Sequence, residues 1–446
     1  MPRWKDMTLS GWGRNPGAAS RIARPERIRE LQALVPDPDG QSSLARGAGR
    51  SYGDAALNSA GHTLLTTRLD RMLEFDEASG QLVTEPGVRF IDVISTFLPR
   101  GFMVPVAPGT GFATLAGGIA NDVHGKNQHV SGSLGHHLEW FDLRLPDGTR
   151  RRVSADDADP LFRATLGGMG LTGIIDRLCL RLKPVPSDSV TVTKRRVRDL
   201  DDFLEAFETH RSSAEYIVGW IDALAKGAAL GRGVLEVASP CENAVAVKRP
   251  APRRIPFALP NGTLNPLTIR AFNALYHARA PAEATETSMR YEQFLFPLDR
   301  LLDWNRIYGS RGFHQFQCLV PFAGGREALR AMLELIARDG GGSFLAVLKA
   351  METSGRGFLS FPGPGYTLAL DFPARKGVRA LIGKLEAIAA DAGGRVYLAK
   401  DSTLDPQTFA RMYPELPAFR AALRSIDPEQ RMQSDLATRL RIRDES

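Results

Sequence analysis

The residues from Ala45 to Asp54, with the sequence ARGAGRSYGD, place three glycines within seven positions of a 446-residue chain. Glycine allows the backbone to adopt positive φ angles and to approach a ligand closely. The N–H groups of such a loop can form a concave anion site, and two arginines and a serine add further donors. The spacing is neither the Rossmann fingerprint nor a Walker loop. A glycine-rich surface turn is the alternative for this segment taken alone.

A second glycine-rich segment runs from Pro108 to Asn127. Its small residues between Ala116 and Ala120 would let a flat ligand lie against the backbone. His124 then places a titratable ring next to the cation of Lys126, although a single histidine is more often a core or surface residue than a catalytic one. The histidines of this region lack a second type of ligand at a diagnostic interval, so we expect no metal site.

Length and composition predict a globular protein of two domains, with 43% hydrophobic and 24% charged residues. No apolar run is long enough for a membrane-spanning helix, and the first residues lack the apolar core of a secretory signal. Three widely spaced cysteines fit a reducing compartment, with neither a disulfide framework nor a cysteine-based zinc site. We therefore expect a cytoplasmic protein.

The formal net charge of +7 allows anionic partners, which include nucleic acid, a phosphorylated substrate and an acidic membrane surface. The basic clusters are short, however, and they lack interleaved aromatic residues. No nucleic-acid-binding motif is present, and we expect no nucleic-acid partner. A non-catalytic basic protein that binds nucleic acid or a membrane surface remains the alternative from another functional class.

Periodicity predicts many short elements before residue 187. The predicted strands are 43–45, 62–67, 73–75, 81–85, 143–149 with its turn, and 171–182. The predicted helices are 25–34, 90–98 and one that opens at Ala158. The proline pair of residues 183–186 is the expected exit from the first domain.

The second half predicts an antiparallel sheet with helices on one side, which is an α+β plan. Its predicted strands are 190–193, 216–222, 233–237, 313–320, 344–348, 367–372 and 396–399, and its predicted helices are 200–210, 326–338 and 377–392. Within the strand 313–320, Gln315 and Gln317 share one face. The proline-rich residues 249–266 are expected to form an extended loop, and the tail from 406 to 440 is expected to be helical.

The two glycine segments, their order and the closing helices resemble the vanillyl-alcohol-oxidase superfamily of flavoproteins with a PCMH-type FAD-binding domain. The resemblance is to the members that act on polyprenyl-phosphoryl ribose, and it covers nearly the whole chain. Further motifs that carry it are Gly11–Arg14, Asp122–Asn127, Gly167–Ile175, Trp304–Arg306, Gln315–Gln317, Ser360–Pro362, Asp371–Pro373, Ala399–Ser402 and Ser434–Ala437. Each motif alone is weak, whereas their ordered series is specific.

The resemblance implies a two-domain α+β fold with a split FAD-binding domain. Residues 1–187 would form its N-terminal part, residues 188–396 a substrate-binding domain with an antiparallel sheet covered by helices, and residues 397–446 a segment that returns to the FAD domain. In this family the first glycine loop holds the pyrophosphate of FAD, and the second segment backs the flavin.

Carried over by position, the implied FAD-binding residues are Arg46, Gly47, Ala48, Gly49, Arg50, Ser51, Tyr52, Gly53, Asp54, Asn58, Gly109, Thr114, Ala116, Gly117, Asn121, His124, Ile175 and Tyr397. Several superfamily members carry, in the first loop, a histidine that bonds covalently to the flavin. Arg50 stands at that position in this chain, so we expect non-covalent FAD.

The implied reaction is oxidation of the 2-hydroxyl of a polyprenyl-phosphoryl-β-D-ribose to the 2-keto sugar, with hydride passing to the flavin. A separate NADH-dependent reductase would complete the epimerisation to the arabinose donor for cell-wall polysaccharide. The hydroxyl proton must leave with the hydride, so the reaction needs a base with a pKa near the reaction pH. Lys400 is the first candidate, because burial lowers the pKa of a lysine. A solvated lysine at a strand end is the alternative for Lys400.

His124 and Gln317 complete the implied catalytic set. The implied substrate-binding residues are Lys126, Trp220, Tyr308, Gln315, Gln317 and Lys349, each of which could instead be a packing or surface residue. The lipid substrate implies peripheral contact with the inner membrane, for which the 249–266 loop is a candidate.

Some family members carry a cysteine where this chain has Ala369, so nitroaromatic inhibitors that capture that cysteine should form no adduct here. The alternative enzyme is an FAD-dependent sugar, alditol or aldonolactone oxidase that uses oxygen. Its fold and FAD site would be the same.

Overall fold

A computed structural model describes residues 4–37, 39–155, 159–244, 251–342 and 344–444 of the chain. Two small sheets are built by residues before 182, and one large sheet is built by residues from 189 to 396. The C-terminal helices then return to the first part of the chain. The α+β architecture predicted from the sequence is confirmed.

The first part of the chain contains eleven strands among the described residues, several of them very short. They are β1 Lys5–Ser10, β2 Gly17–Ala23, β3 Ser43–Arg46, β4 His62–Leu65, β5 Met72–Asp76, β6 Gln81–Thr84, β7 Phe102–Met103, β8 Leu138–Arg144, β9 Arg150–Ser154, β10 Ile174–Arg181 and β11 Lys183–Pro184. A four-stranded sheet has the order β1-β2-β4-β3, and a five-stranded sheet has the order β5-β6-β10-β8-β9. The α-helices are α1 Ile28–Leu31, α2 Phe90–Phe97, α3 Leu115–Ala120, α4 Gln128–Ser131 and α5 Pro160–Thr165.

The five-stranded sheet packs against α2 to form one hydrophobic core. Phe90, Val93, Ile94 and Phe97 follow the helical repeat and are all buried. They belong to one apolar cluster with residues of the sheet, including Phe141. This core supports the second glycine segment, whose helix α3 contributes Leu115 and Ile119 to the same cluster.

The second part of the chain is dominated by an eight-stranded sheet in which all the neighbouring strands are antiparallel. Its strands lie in the order β16-β12-β14-β13-β19-β20-β18-β21. The strands of this part are β12 Ser189–Val197, β13 Tyr216–Ile221, β14 Gly233–Pro240, β15 Arg253–Arg254, β16 Thr285–Arg290, β17 Leu301–Leu302, β18 Phe313–Val320, β19 Ala346–Met351, β20 Gly365–Pro373 and β21 Arg395–Val396, and the α-helices are α6 Leu200–His210, α7 Pro266–Arg279, α8 Tyr291–Leu295, α9 Gly325–Asp339 and α10 Val378–Asp391.

One face of the eight-stranded sheet is covered by α6, α9 and α10. Phe203, Leu333 and Leu385 from these helices form a single apolar cluster with Phe316 and Leu370 of the sheet. Because side chains alternate along a strand, the neighbouring residues of β13, β18, β19 and β20 point to the opposite face. That opposite face turns toward the first part of the chain.

Three helices end the chain, namely α11 Pro406–Met412, α12 Leu416–Ile426 and α13 Asp435–Arg439. The segment between α12 and α13 pairs with β3, where the N–H of Ser43 donates to the carbonyl of Arg431 at 2.7 Å. The N–H of Asp435 donates to the carbonyl of Leu57 at 2.8 Å. The tail is therefore attached directly behind the first glycine loop.

Some predicted elements differ from the structure. The helix expected at 25–34 is reduced to α1, and the strand expected at 396–399 ends at Val396, after which the chain forms a turn. The helix α7 and the strand β16 were not predicted. The proline-rich composition suggested a loop up to Pro266, whereas this proline occupies the first turn of α7, where its missing N–H costs nothing. The expected helix start at Ala158 and the loop residues 249 and 250 lie outside the described residues.

A half-buried arginine ties the C-terminal helix to two buried carboxylates that are distant in the sequence, which provides a test of the fold. Arg439 pairs with Asp54 at 2.7 Å and with Asp401 at 2.8 Å. We expect Arg439→Gln to lower the free energy of unfolding by about 3–5 kcal/mol, because it leaves two buried carboxylates without their cation. Urea unfolding followed by circular dichroism would measure this change.

The matched control is Arg411→Gln, which removes an exposed pair with Asp391. Such surface pairs contribute about 0–1 kcal/mol. Equal effects of the two substitutions would contradict the assigned role of Arg439.

Candidate active site

A cavity of about 720 Å³ lies between the first part of the chain and the uncovered face of the eight-stranded sheet. Both glycine segments line it, as do residues of β13, β18, β19 and β20. Its size is in the range of pockets that bind cofactors and small ligands. The cavity also brings together most of the residues singled out from the sequence.

The first glycine loop presents a row of backbone donors to this cavity. No described residue accepts a hydrogen bond from the backbone N–H groups of residues 47–51. Gly49 has a φ of +64°, and a Cβ there would lie 2.4 Å from a nitrogen of Arg46. The Arg46 guanidinium supports the loop from below by donating to the carbonyls of Ser10 and Ala56 at 2.7 and 2.8 Å. The result is a preformed concave site for an anion.

Arg50 adds a cation to the same site. Its guanidinium carbon lies 4.1 Å from the ring centre of Trp12 and 5.2 Å from that of Phe112. Its Nε is buried and has no hydrogen-bond partner among the described residues. Burial lowers the pKa of Arg50, yet an arginine stays charged at physiological pH. A held cation with an unused donor fits an anionic group such as a pyrophosphate.

The second glycine segment forms a wall of small residues beside this anion site. Thr114 begins α3, and its Oγ1 accepts the N–H of Gly117 at 3.2 Å. The side chain of Asn121 donates to the carbonyl of Gly117 at 2.7 Å, whereas its Oδ1 is buried without a partner among the described residues. The hydroxyl of Tyr397 donates to the carbonyl of Asn121 at 2.9 Å. This wall can accept a flat ring and offers it one free acceptor.

His124 stands at the centre of the cavity between two side chains of the sheet. Its Nε2 lies 3.1 Å from the amide nitrogen of Gln317, and its Nδ1 lies 3.1 Å from Nζ of Lys349. Burial, followed by the charges of Lys349 and Lys400, lowers the pKa of His124 well below its usual value. The imidazole is therefore neutral at physiological pH. Its Nε2 can accept a hydrogen bond from the Gln317 amide, and its Nδ1–H can donate to Lys349 when that amine is neutral.

Three lysines converge on the same region. Burial lowers the pKa of Lys126 to about 8, that of Lys349 to about 7 and that of Lys400 to about 8. Glu236 is the one acidic residue among the described residues that line the cavity. This region can therefore attract an anion, and each of its amines can also exist in the neutral form.

Lys400 lies in the turn after β21, where its N–H donates to the carbonyl of Tyr397 at 2.9 Å. Its Nζ is 3.9 Å from the ring centre of Tyr52, the aromatic residue of the first glycine loop. The negative charge of Asp371 raises the pKa of Lys400 and so offsets part of the decrease that burial causes. Lys400 is thus a buried amine with a pKa suited to proton transfer at moderately alkaline pH.

Asp371 lies behind the wall of the cavity and holds Gln315 in place. The register of β18 and β20 pairs Gln315 with Asp371 and Gln317 with Ala369. Asp371 accepts hydrogen bonds from the Gln315 amide at 2.5 Å and from the Tyr308 hydroxyl at 2.9 Å. Burial raises the pKa of Asp371 to about 7. Its role in the site was not predicted from the sequence, although its strand position opposite Gln315 would have indicated it.

The cavity is lined by most of the residues expected at the site. These are Gly47, Ala48, Gly49, Arg50, Ser51, Tyr52, Gly109, Thr114, Ala116, Gly117, Asn121, His124, Lys126, Ile175, Trp220, Gln315, Gln317, Lys349, Tyr397 and Lys400. They come from both parts of the chain, so the site exists only in the folded structure.

Five expected residues do not line the cavity, and each has a structural partner elsewhere. Arg46 lies under the glycine loop, and Asp54 pairs with Arg439. A Cβ on Gly53 would lie 1.9 Å from the carbonyl oxygen of Asp401, so its glycine serves close packing. Asn58 donates to the carbonyls of Ser42 and His62 at 3.2 and 3.3 Å. Tyr308 donates to Asp371.

An aromatic wall at one side of the cavity was missed because α7 was not predicted. Phe272 and Tyr276 of this helix line the cavity together with Trp220 and Phe344. The ring of Tyr276 is 4.6 Å from that of Trp220, and the ring of Phe272 is 5.2 Å from that of Phe344. The spacing of Phe272 and Tyr276, four residues apart, is the sequence signal that would have placed both on one helix face.

Comparison with known proteins shows the family to which this chain belongs. Residues 19–154 match the profile of the FAD binding domain family, and residues 368–440 match that of D-arabinono-1,4-lactone oxidase. Decaprenylphosphoryl-beta-D-ribose oxidase of Mycolicibacterium smegmatis is 34% identical over 450 residues, which cover 97% of each chain. A putative D-arabinono-1,4-lactone oxidase of Neurospora crassa is 26% identical over 207 residues, or 44% of this chain and 35% of that protein. The chain belongs to the PCMH-type FAD-dependent oxidoreductases.

The cavity has the features that an oxidoreductase of this family needs to hold FAD. The free N–H groups of residues 47–51 and the unpaired Nε of Arg50 suit a pyrophosphate. The small residues Ala116 and Gly117, with the free Oδ1 of Asn121 nearby, suit a flat heterocycle. These donors, the acceptor and the space match the anionic and the flat parts of FAD.

The position of Ala369 in the wall of this oxidoreductase predicts its response to thiol reagents. Cys179 and Cys318 are buried, and burial raises the pKa of their thiols to about 11 and about 12. We expect iodoacetamide to modify only the partly exposed Cys241 of the native protein. Intact-mass and peptide mass spectrometry would check this.

In Ala369→Cys a second adduct should appear, because residue 369 lines the cavity. Ala369→Ser is the control of similar size without a thiol. An Ala369→Cys protein that gains no adduct would show that this position does not face the cavity.

Proposed function

We propose that this FAD-dependent oxidoreductase oxidises the 2-hydroxyl of a polyprenyl-phosphoryl-β-D-ribose to the 2-keto sugar. This would be the first half of an epimerisation to the arabinose donor for a surface polysaccharide. The observation that carries the proposal is the convergence of Lys126, Lys349 and Lys400 on one cavity whose described lining contains a single acidic residue. The name of the M. smegmatis relative supports the same substrate class.

We assign the phosphodiester of this substrate to Lys126 and Lys349. An anion that binds beside these amines raises their pKa and restores the charge that burial disfavours. Lys126 is held by a hydrogen bond to the carbonyl of Phe294 at 2.6 Å, and Lys349 by one to the carbonyl of Gly125 at 3.2 Å. Both amines are therefore oriented before the substrate binds.

We assign the proton of the 2-hydroxyl to Lys400. Bound FAD supplies the hydride acceptor for the carbon of the substrate. Lys400 in its neutral form accepts the hydroxyl proton, and Asp371 stabilises the ammonium that results. Gln315, Gln317 and the neutral His124 are placed to hydrogen-bond the sugar hydroxyls and to exclude water.

We propose that FAD lies with its pyrophosphate on the N–H groups of residues 47–51 and its flavin against residues 116–121. We propose a three-part division into residues 1–187, 188–396 and 397–446, with the cofactor site formed by the first and third parts. Arg50 occupies the position of the histidine that bonds covalently to flavin elsewhere in the superfamily, so the cofactor is non-covalent.

The non-covalent attachment predicts that FAD separates from the denatured protein. After precipitation with acid, the flavin absorbance should remain in the supernatant, and the protein should have the mass of the unmodified polypeptide. A flavin that stays with the precipitated chain would contradict the assignment of Arg50.

The 2-keto product requires a reductant to complete an epimerisation, and this chain has one FAD-type redox site among its described residues. We therefore propose a separate NADH-dependent keto-reductase as a functional partner. Among the described residues, no helix combines the length and the apolar composition that a membrane crossing needs. We propose peripheral contact with the cytoplasmic face of the membrane, where a lipid-linked sugar would be available.

A second candidate is an aldonolactone oxidase that passes electrons to oxygen. The match of residues 368–440 to the D-arabinono-1,4-lactone oxidase profile favours it. Its substrate carries no phosphate, however, and it gives no role to the lysines of the cavity.

Anaerobic reduction of the bound FAD separates these two candidates. We expect polyprenyl-phosphoryl ribose to bleach the flavin absorbance, and free D-arabinono-1,4-lactone or free alditols to leave it unchanged. Bleaching by the free compounds alone would refute the proposed substrate. Lys126→Met should raise the concentration of phosphorylated substrate that gives half-maximal flavin reduction. Lys384→Met, on the outer helix α10, should leave this concentration unchanged.

The pKa of Lys400 predicts how the rate depends on pH. The neutral amine is the active base, so the rate of flavin reduction should rise as the pH increases through about 8. Lys400→Met should retain bound FAD, lose this pH dependence and reduce flavin about 10²–10⁴-fold more slowly. Stopped-flow single-turnover measurements would give this rate. A rate of flavin reduction in Lys400→Met equal to that of the native protein would exclude Lys400 as the base.

Asp371→Asn tests the electrostatic part of this assignment without removal of the base. The carboxylate favours the charged form of Lys400, so its loss should shift the midpoint of the rate profile to lower pH. The matched control is Asp391→Asn, which changes an exposed carboxylate. A shift to higher pH would contradict the assigned interaction.

A further inference from the structure

The helix α7 and the loop before it expose apolar side chains that no described part of the chain covers. Of the seven large hydrophobic residues that are exposed among the described residues, four lie between residues 257 and 275. Leu267 is 77% exposed, Phe257 65%, Leu275 51% and Phe272 44%. Single exposed apolar residues are common, whereas a cluster of this kind marks an interaction surface.

The apolar residues of α7 lie on the side that faces away from the protein. Ile269 and Asn273 are the two buried residues of this 14-residue helix, and Asn273 is anchored by a hydrogen bond to Asp222 at 2.7 Å. At about 100° per residue, the opposite side is formed by Leu267, Ala271, Ala274, Leu275 and Ala278. The outer face of a helix on a globular protein is normally polar. The outer face of α7 is apolar instead.

Basic residues flank this apolar face. On the same helical projection, Arg270 lies on one side of it and Arg279 on the other, and both are exposed. An apolar stripe with cations at both edges is the pattern of a helix that lies in a membrane interface. Arg254, which precedes α7, is paired with Asp303 at 3.0 Å.

The sequence around α7 concentrates the positive charge of the whole chain. From Asn243 to Ala282 there are six lysines and arginines and not one aspartate or glutamate. This segment therefore accounts for six of the seven net positive charges of the protein. Two of the six, Lys248 and Arg249, lie outside the described residues. A second copy of the chain would bring the same positive charge against itself, whereas anionic lipid complements it.

The apolar face of α7 is continuous with the cavity. Phe272 is exposed to solvent and also lines the cavity, and Tyr276 lies one turn further along the same wall. A hydrocarbon chain that leaves the cavity past these rings would reach the outer face of α7 directly. The helix is thus placed where the lipid portion of a substrate would emerge.

We propose that α7 is the membrane-docking element of this protein, and that its outer face inserts into the interface of an anionic phospholipid bilayer. Leu267 and Leu275 enter the boundary between headgroups and acyl chains, while Arg270 and Arg279 contact lipid phosphates. The orientation directs the aromatic side of the cavity toward the bilayer. The account of the lipid tail rests on the proposed function, whereas the docking surface itself rests on α7.

Vesicle flotation with the FAD-loaded full-length protein tests the proposal. We expect binding to vesicles of phosphatidylcholine with phosphatidylglycerol, weaker binding at high salt, and little binding to phosphatidylcholine alone. The double substitution Leu267→Gln/Leu275→Gln should weaken binding at least about tenfold. Glutamine preserves helix propensity, and circular dichroism with retained flavin absorbance would establish that the variant is folded.

Leu73→Gln is the matched control, since Leu73 is an exposed leucine on β5, a strand of the five-stranded sheet. It should bind vesicles as the native protein does. Arg270→Gln/Arg279→Gln should lose about thirtyfold in affinity for the anionic vesicles, and Arg338→Gln, on α9, should lose much less.

Three results would overturn the proposal. They are a native protein that does not float, α7 variants that bind as the native protein does, and a monomer–dimer equilibrium abolished by the leucine variant in the absence of vesicle binding. The last result would assign the face to a second copy of the chain. Flavin reduction by a water-soluble, short-chain polyprenyl-phosphoryl ribose reports separately on the proposed function, because it needs no vesicle.

Discussion

The ion pairs of Arg439 with Asp54 and Asp401 connect the two segments on which the rest of the site depends. Asp54 ends the first glycine loop, and Asp401 follows Lys400 directly in the chain. The loop and the turn also share a hydrogen bond from the N–H of Tyr52 to the carbonyl of Ala399 at 2.9 Å. The anion site and the buried amine are therefore held as one rigid unit, although they are far apart in the sequence. Buried charges of this kind are stable only as a complete set.

Desolvation explains the electrostatic properties of the whole cavity. The same burial that keeps His124 neutral lowers the pKa of Lys126, Lys349 and Lys400. No carboxylate within the described lining balances these amines except Glu236. Buried amines without counter-ions lower the stability of the folded protein. An anion that binds here would therefore stabilise the protein, and without one each amine loses its proton more easily than a solvated lysine does.

The sequence predicted those parts of the site that depend on local pattern. Alternation along β18 placed Gln315 and Gln317 on one face, whereas glycine spacing alone left the first loop open between an anion site and a surface turn. It could not predict contacts set by tertiary packing. Asp54 was expected to face the cofactor because it belongs to the loop, yet its carboxylate turns to an arginine at the far end of the chain. The helix α7 was missed because it has almost no buried stripe, which is the signal that periodicity detects.

The apolar outer face of α7 matters for the proposed lipid-linked substrate. A sugar phosphate with a long hydrocarbon tail cannot enter a closed cavity entirely, because the tail would exceed its volume and would otherwise be exposed to water. The cavity must therefore open onto an apolar surface, and the rings of Phe272 and Tyr276 mark the side where it does so. If α7 docks to the membrane as proposed, the sugar would reach the lysines of the cavity while the tail would remain among lipid acyl chains. The polar end of the cavity would then bind the sugar phosphate, and the apolar outer face of α7 would lie beside the hydrocarbon tail.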